Sequence, residues 1–407
     1  MPVAGDGGTM LEGYRVLDLS GPLGWVAGRI LADLGADVIK VESPDADLEE
    51  IDWRAFNVNK RLLRLDTKSV AGRQVVDRAL AEVDVLIETA QPGIPADTWL
   101  EPARLTAINP GLVHVSVTPF GRHGPRAHWR GTDLEIMAAS GAMSLIGEPG
   151  GVPLRMSVPQ SHAWAGMHAA CGAVLALFNR TSGGSGQHVD VSAQVALVTA
   201  LAHAPTFVDI LGTVPDRAGS AITGRSVHGA NFRAFWKCRD GYLNFVVYGG
   251  PAGRRSNQAL VEWMTEKGAA LGALVDIDWI KFDPKLAQQG EIDRLEEPIA
   301  AFLEGVNKQE FLDEACTREI LGYPVSTTAD IAEDPQLEAR GFWQYLPAPD
   351  GGSERHCGVF YMENGVRPEI RHAAGNGHAD THGVLSEFGF DAREISELRD
   401  GGIVAPA

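Results

Sequence analysis

A chain of 407 residues is too long for one ordinary hydrophobic core and implies two domains. Hydrophobic residues make up 44% and charged residues 22%, a globular balance, while 35 Lys and Arg against 53 Asp and Glu leave a net charge of −18. So acidic a surface argues against nucleic acid or an anionic membrane as partner, although any anionic ligand would still need local basic spots.

The cysteines, Cys171, Cys238, Cys316 and Cys357, are scattered with no CxxC spacing. That fits reduced thiols rather than a disulfide frame or zinc site. Residues 1–9 lack the apolar core of a signal peptide, and no apolar run reaches membrane-spanning length, so a cytoplasmic protein without a membrane partner is expected.

In chain order, Tyr14–Leu19 reads as a buried strand, Trp25–Leu34 as a helix closing at Gly35, and Asp37–Glu42 as the next strand. A helix over Val70–Glu82 and strands over Val83–Glu88 and Leu112–Val117 follow. Strands separated by helices of this length imply a parallel, doubly wound α/β sheet. The run Ala163–Leu177 suits a buried helix, and Ala221–Arg233, polar and weakly periodic, reads as a linker. Residues 234–328 form a smaller α+β segment, with a strand at Tyr242–Val247 and helices at Glu296–Leu303 and Lys308–Cys316. The expected organisation is therefore a large domain over 1–220, a linker over 221–233, a small domain over 234–328, and a return to the large domain over 329–407.

The loop Ser20-Gly21-Pro22-Leu23-Gly24-Trp25 opens a helix and could cradle a phosphate, but it is not GxGxxG, and no P-loop is present. His168 reads as a hydrogen-bonded helix residue. His378, Asp380 and His382 have metal-compatible spacing but sit in a Gly-rich turn without a ligand cluster. Gly183–Gly186 lacks the order of a hydrolase elbow. Arg254-Arg255 reads as a solvated loop pair, and Trp25 and Trp164 as core.

Several long segments carry a resemblance. They are Leu31–Glu42, Asn57-Val58-Asn59-Lys60-Arg61 with Leu65-Asp66-Thr67-Lys68, and Asp84–Glu88 with Pro92-Gly93. Pro324-Val325, Asp334–Phe342 and His382–Gly389 follow in the same order. Together with His162–His168 and Arg180–Val191, this arrangement resembles the class III CoA-transferases (the CaiB/BaiF superfamily of formyl-CoA transferase and acylmethyl-CoA racemase). The resemblance implies two subunits interlocked like chain links, coenzyme A along the loops of the large domain, and no tightly bound cofactor. The CoA thioester is then a substrate.

In that family an Asp four residues before the glycine of the helix attacks the thioester and later carries CoA as an aspartyl thioester. Here the position is His162, and no Asp or Glu occurs between Glu148 and Asp190. An imidazole, with an ordinary pKa near about 6.5, can act as a base but cannot store CoA in that scheme. Leu65 and Lys68 fall on CoA-contacting positions of the family and are retained, while Thr89-Ala90 replaces its usual Asn-Phe. A phosphate-binding Arg is replaced by Asp97, and Asp45–Glu50 puts acids where Gly-Gly-Asp-x-x-Arg is usual, which predicts repulsion of a phosphate.

The resemblance therefore implies a subunit of a class III CoA-transferase that moves CoA between succinyl-CoA or a similar donor and a carboxylic acid. An Asp-bearing homologous subunit would be its partner, as in two-chain members such as benzylsuccinate CoA-transferase. The alternatives are a homodimeric racemase-like enzyme with His162 as base, disfavoured because Gly131-Thr132-Asp133 lacks the racemase histidine, and a non-catalytic binding paralogue.

Overall fold

A computed structural model describes residues 9–90, 95–348, 351–375 and 380–405. Within it the chain divides into two compact units, residues 1–143 with 155–214 and 335–407, and residues 144–154 with 215–334.

The first unit is built on β1 (Arg15–Asp18), α1 (Trp25–Asp33), β2 (Asp37–Glu42), α2 (Ile51–Asn57), β3 (Arg61–Arg64), α3 (Val70–Leu80) and β4 (Val85–Glu88). After α4 (Pro102–Ile108), β5 (Val113–Thr118), α5 (Asp133–Ala139), α6 (Ser161–Thr181) and β6 (His188–Ser192) come α7 (Ala193–Ala200) and α8 (His203–Leu211). The six strands form one parallel sheet in the order β3-β2-β1-β4-β5-β6. Alternate side chains feed opposite cores, as strand geometry requires. Val16 joins the face packed by Ala27 and Leu31 of α1 and Ala169 and Ala173 of α6, and Leu17 the face packed by Val76 and Ala79 of α3. Glycine lets α6 approach α1: a Cβ on Gly166 would lie 2.5 Å from Val26 Cβ.

The second unit contains β7 (Ala221–Ile222), β8 (Phe232–Arg233), β9 (Phe235–Cys238), β10 (Gly241–Phe245), α9 (Gly250–Glu266), α10 (Gln289–Leu303), α11 (Lys308–Arg318), β11 (Gly322–Pro324) and α12 (Thr328–Ala332). An antiparallel sheet β11-β10-β9 packs its helices around Trp236, Trp263 and Phe311. The stretch 221–233, expected as a linker, instead pairs β7 with β8 and buries Phe232 in this core. Two residues per strand are too few to show a period of two, so composition hid the pairing. Arg254 and Arg255, expected in a loop, lie in α9, where Arg255 pairs with Glu319.

The chain then returns to the first unit through α13 (Pro335–Ala339), the hairpin β12 (Trp343–Pro347) and β13 (Ser353–Cys357), α14 (Asp380–Glu387) and α15 (Ala392–Asp400). Val384 and Leu385 of α14 and Ile395 of α15 seal the α3 face of the sheet. Ile403 O accepts from Asp66 N, and Val404 bridges Leu65, so the end of the chain fixes the turn after β3. No single helix among the described residues is long and apolar enough to cross a membrane.

Candidate functional site

Strand order reverses between β1 and β4, and open parallel sheets place ligands beyond the carboxyl ends of the strands at such a switch. A cavity of about 420 Å³ lies there, walled by residues following β1, β2, β3 and β4. It brings together all four residues read from sequence as CoA contacts: Leu65, Lys68, Thr89 and Ala90. Leu65, buried after β3, donates its N–H to Glu42 O at 2.8 Å. Thr89 Oγ1 accepts from Gly21 N at 2.9 Å, tying the loop after β1 to the loop after β4 across the switch.

Beneath that loop lies a buried ion cluster. Lys60 Nζ donates to Asp18 Oδ2 at 2.8 Å, Asn57 Oδ1 at 2.8 Å and Trp25 O at 2.9 Å. Asp18 Oδ1 also accepts from Ser20 N and Ser20 Oγ. Burial pulls the Lys60 ammonium down to about 8 despite the neighbouring carboxylate. Burial pushes Asp18 up, but Lys60, Lys40 and the Ser20 hydroxyl outweigh it and hold the carboxyl below its usual range. Lys40, also buried, donates to Ser20 O at 2.6 Å and meets Glu42 Oε1 at 3.1 Å. Gly28 is the residue that lets α1 cover the cluster, because a Cβ there would sit 2.3 Å from Asp18 Oδ2. The Asn57–Arg61 motif thus serves the cluster, and Asn59, with φ of +71°, receives Arg371 N on its Oδ1 at 2.8 Å.

On the β4 side, Glu88 lines the cavity and accepts from Ala90 N. Its other oxygen is 3.0 Å from His114 Nε2 and 3.7 Å from Arg122 Nη1, and Arg122 Nη2 meets Glu101 at 3.0 Å. Ser116 Oγ links His114 to His188 at 3.2 and 2.9 Å. Desolvation of its inner side, then His114 and Arg122, push His188 down to about 4.

The acids of 45–50 do not line the cavity, although Asp45 lies close enough to the cavity-lining Lys68 to interact with its charge. The Arg64 guanidinium donates to the carbonyls of Ser43, Pro44 and Ala46 and holds that segment by its backbone. Asp97 falls in a 3-10 turn, Pro95–Leu100, and Pro92-Gly93 and His378 lie outside the described residues. Sequence reasoning missed Lys40, Glu42, Arg73, Glu88 and Trp99, which also line the cavity. Arg73 was within reach: it lies five residues past Lys68 on the helix opening that follows the retained motif.

His162 is not among the cavity-lining residues; it occupies the first turn of α6. That helix start is held by Asp133, whose Oδ1 accepts from Gln160 N at 2.9 Å, Ser161 N at 2.9 Å and Ser161 Oγ at 2.8 Å. Burial lowers the His162 pKa against the opposing charges of Asp133 and Asp52, which favours the neutral imidazole. His168 Nδ1 is 2.8 Å from Trp164 O, a helix-internal contact. Trp25 is core, while Trp164 is half-buried against the α1–α6 face. His382 lies on α14, and among the described residues no group of three His, Cys, Asp or Glu could hold a metal.

A parallel α/β sheet with a ligand cleft at its switch point defines the class of fold. The chain belongs to CoA-transferase family III, whose profile matches residues 11–374. It is 30% identical over 410 residues to the succinyl-CoA:(R)-benzylsuccinate CoA-transferase subunit BbsE of Thauera aromatica, covering 96% of this chain and 97% of that one. It is also 30% identical to a succinate–glutarate CoA-transferase of Agrobacterium fabrum, covering 84% and 86% of the two chains. Among solved structures, a CaiB/BaiF family protein from Brucella suis superposes with a TM-score of 0.78 at 26% identity, covering 94% of this chain and 100% of that one. The family's substrates are CoA thioesters.

Proposed function

We propose that this chain is one subunit of a heteromeric class III CoA-transferase that moves CoA between succinyl-CoA or a similar donor and a carboxylic acid. In this reading a homologous subunit carries the Asp that forms the covalent intermediates. The observation that carries it is the contrast between a cleft that gathers Leu65, Lys68, Thr89 and Ala90 and a helix start where His162 stands for the nucleophile. Two acids among the described residues act on His162 by their charge, Asp133 and Asp52. Asp133 is engaged by three hydrogen bonds at the helix start, and Asp52 acts on His162 only as a charge.

Two further observations support a partner. One is that a 30% identical relative is itself described as a subunit. The other is the apolar surface of the first unit, where Leu175 and Phe178 of α6 and Ile210 and Leu211 of α8 are exposed. A groove of about 670 Å³ also opens along α1 and α6. Patches of this kind mark protein interfaces.

The test is isotope exchange between succinyl-CoA and labelled succinate. The chain purified alone is expected to show background exchange, rising about a thousandfold or more when co-expressed with an Asp-bearing family member from the same organism. Full exchange by the chain alone, or a CoA-linked residue trapped on it by mass spectrometry, refutes the partner-subunit reading.

A further inference from the structure

Several cations of the second unit are spent on neighbouring acids: Arg233 meets Glu296, Lys308 meets Asp330, and Arg318 meets Glu266. Arg225 and Lys285 differ. Both are exposed, neither has an ion pair among the described residues, and both line one cavity of about 250 Å³. Its floor is apolar: Phe232, Val246 and Val247 are buried there, and Ile222 pairs with Phe232 across β7 and β8. Asp283 is the one carboxylate among the lining residues, and its Oδ1 accepts from Lys285 N at 3.0 Å within its own turn. The rim therefore carries an excess of one positive charge above an apolar floor.

The two cations are positioned by their backbones. Val227 N donates to Lys285 O at 2.9 Å and Ser226 Oγ to Ala287 O at 2.6 Å, which stitches the loop carrying Arg225 to the turn carrying Lys285. The loop after β10 closes on the same turn, where a Cβ on Gly249 would lie 2.3 Å from Pro284 Cδ, so glycine is required for the approach. Walls fixed in this way bring the charges together before any ligand arrives, which lowers the ordering cost of binding.

We infer that this cavity binds a small carboxylic acid with a compact apolar body, its carboxylate between Arg225 and Lys285 and its body on Phe232, Val246 and Val247. The planar guanidinium of Arg225 suits a carboxylate with two parallel N–H donors, and Lys285 adds a point charge. The floor rewards burial of apolar surface, which a bare inorganic anion does not have. At about 250 Å³ the cavity falls just below the roughly 300–1,000 Å³ of sites for drug-sized ligands, and so suits a single ring or a short branched chain. None of its lining residues lines the cleft at the switch point, and the inference does not depend on the proposed CoA transfer.

The experiment titrates the full chain with phenylacetate, phenylacetamide and acetate, followed by ligand-observed NMR. Wild type is expected to bind phenylacetate at least about tenfold more tightly than phenylacetamide, which keeps the ring without the charge. It should favour phenylacetate by a similar factor, about tenfold, over acetate, which keeps the charge without the ring. The preference over the amide should shrink as salt rises. Arg225→Met brings that preference to about twofold or less, Arg225→Lys keeps an intermediate value, and Lys285→Met lowers it by about threefold. Phenylacetate binding no tighter than that of the amide or of acetate, or a preference unchanged in Arg225→Met, overturns the inference. So does a wild type that binds none of the three. Both substituted side chains are exposed, and the wild-type preferences decide the matter even if a variant fails to fold.

Discussion

Two regions of the first unit differ in how they treat charge. At the switch point, every carboxylate near the cleft floor is matched: Asp18 by Lys60 and Lys40, Glu42 by Lys40, Glu88 by Arg122 and His114. At the start of α6, His162 is a partly buried imidazole whose pKa burial pulls down, and Asp133, whose charge acts on it, is engaged at the helix start by Gln160 and Ser161. The first region holds its carboxylates in fixed ion pairs beneath the loops that wall the cleft. The second presents an imidazole at the helix start, and the proposed function assigns the covalent steps to another subunit for that reason. On the proposed function, binding and covalent chemistry diverge within one domain, since the cleft and the start of α6 rest on different elements.

The contrast breaks most severely at Lys60. Lys60→Met leaves Asp18 buried without its closest cation and is expected to cost about 3–5 kcal/mol of stability, measured by urea denaturation. A loss below about 1 kcal/mol would show that Lys40 and Ser20 satisfy Asp18 alone. A smaller effect lies in the His114–Ser116–His188 chain. The folded pKa of His188, about 4, is below its ordinary value near 6.5, so its contribution is complete above about 6.5 and is lost as pH falls toward 4. Because His188 is exposed on the edge strand, solvent screening limits the loss to about 1 kcal/mol. Thermal melts of wild type and His188→Gln should diverge only in that acid window, and parallel curves from pH 7 to 4 would contradict the assignment. The smallest change sharpens the second region. His162→Asp puts an anion into the first turn of α6, where the helix dipole favours it, so stability should move by no more than about 1 kcal/mol. With the cleft able to present a thioester, this variant should gain a hydroxylamine-sensitive CoA adduct in its mass spectrum that wild type lacks. A well-folded His162→Asp without the adduct would place the defect in the cleft as well.

Much of the fold was legible because it is written in periodicity and motif. Asp37–Glu42 is a strand at the residues expected, and α1, α3, α6 and α11 lie within a few residues of their expected ends. Strands β3 and β6 were not anticipated. Arg61–Arg64 is flanked by charge at both ends, and His188–Ser192, on the sheet edge, alternates exposed and half-buried residues without a buried face. The helix α9 opens with Gly250, Pro251 and Gly253, residues that read as loop, and only the burial of Leu260, Trp263 and Met264 reveals it. Of the residues lining the cavity, Leu65, Lys68, Thr89 and Ala90 were named by resemblance, whereas Arg73, Glu88 and Trp99 were not, because their joining in one cavity depends on strand order.

The sequence by itself determined the strand-helix alternation, the family membership carried by the Asn57–Arg61 and Leu65–Lys68 segments, and the histidine at the nucleophile position. These are properties of local pattern and of residue identity. Tertiary structure alone decided that the acids of 45–50 stay out of the cleft, that Asp133 caps α6, and that Arg73 and Trp99 join Lys68 in one wall. Those outcomes depend on contacts between segments far apart in the chain, such as Arg64 with the carbonyls of 43–46 and the C-terminal Val404 against Leu65. No local pattern encodes which loops a parallel sheet will bring to its switch point.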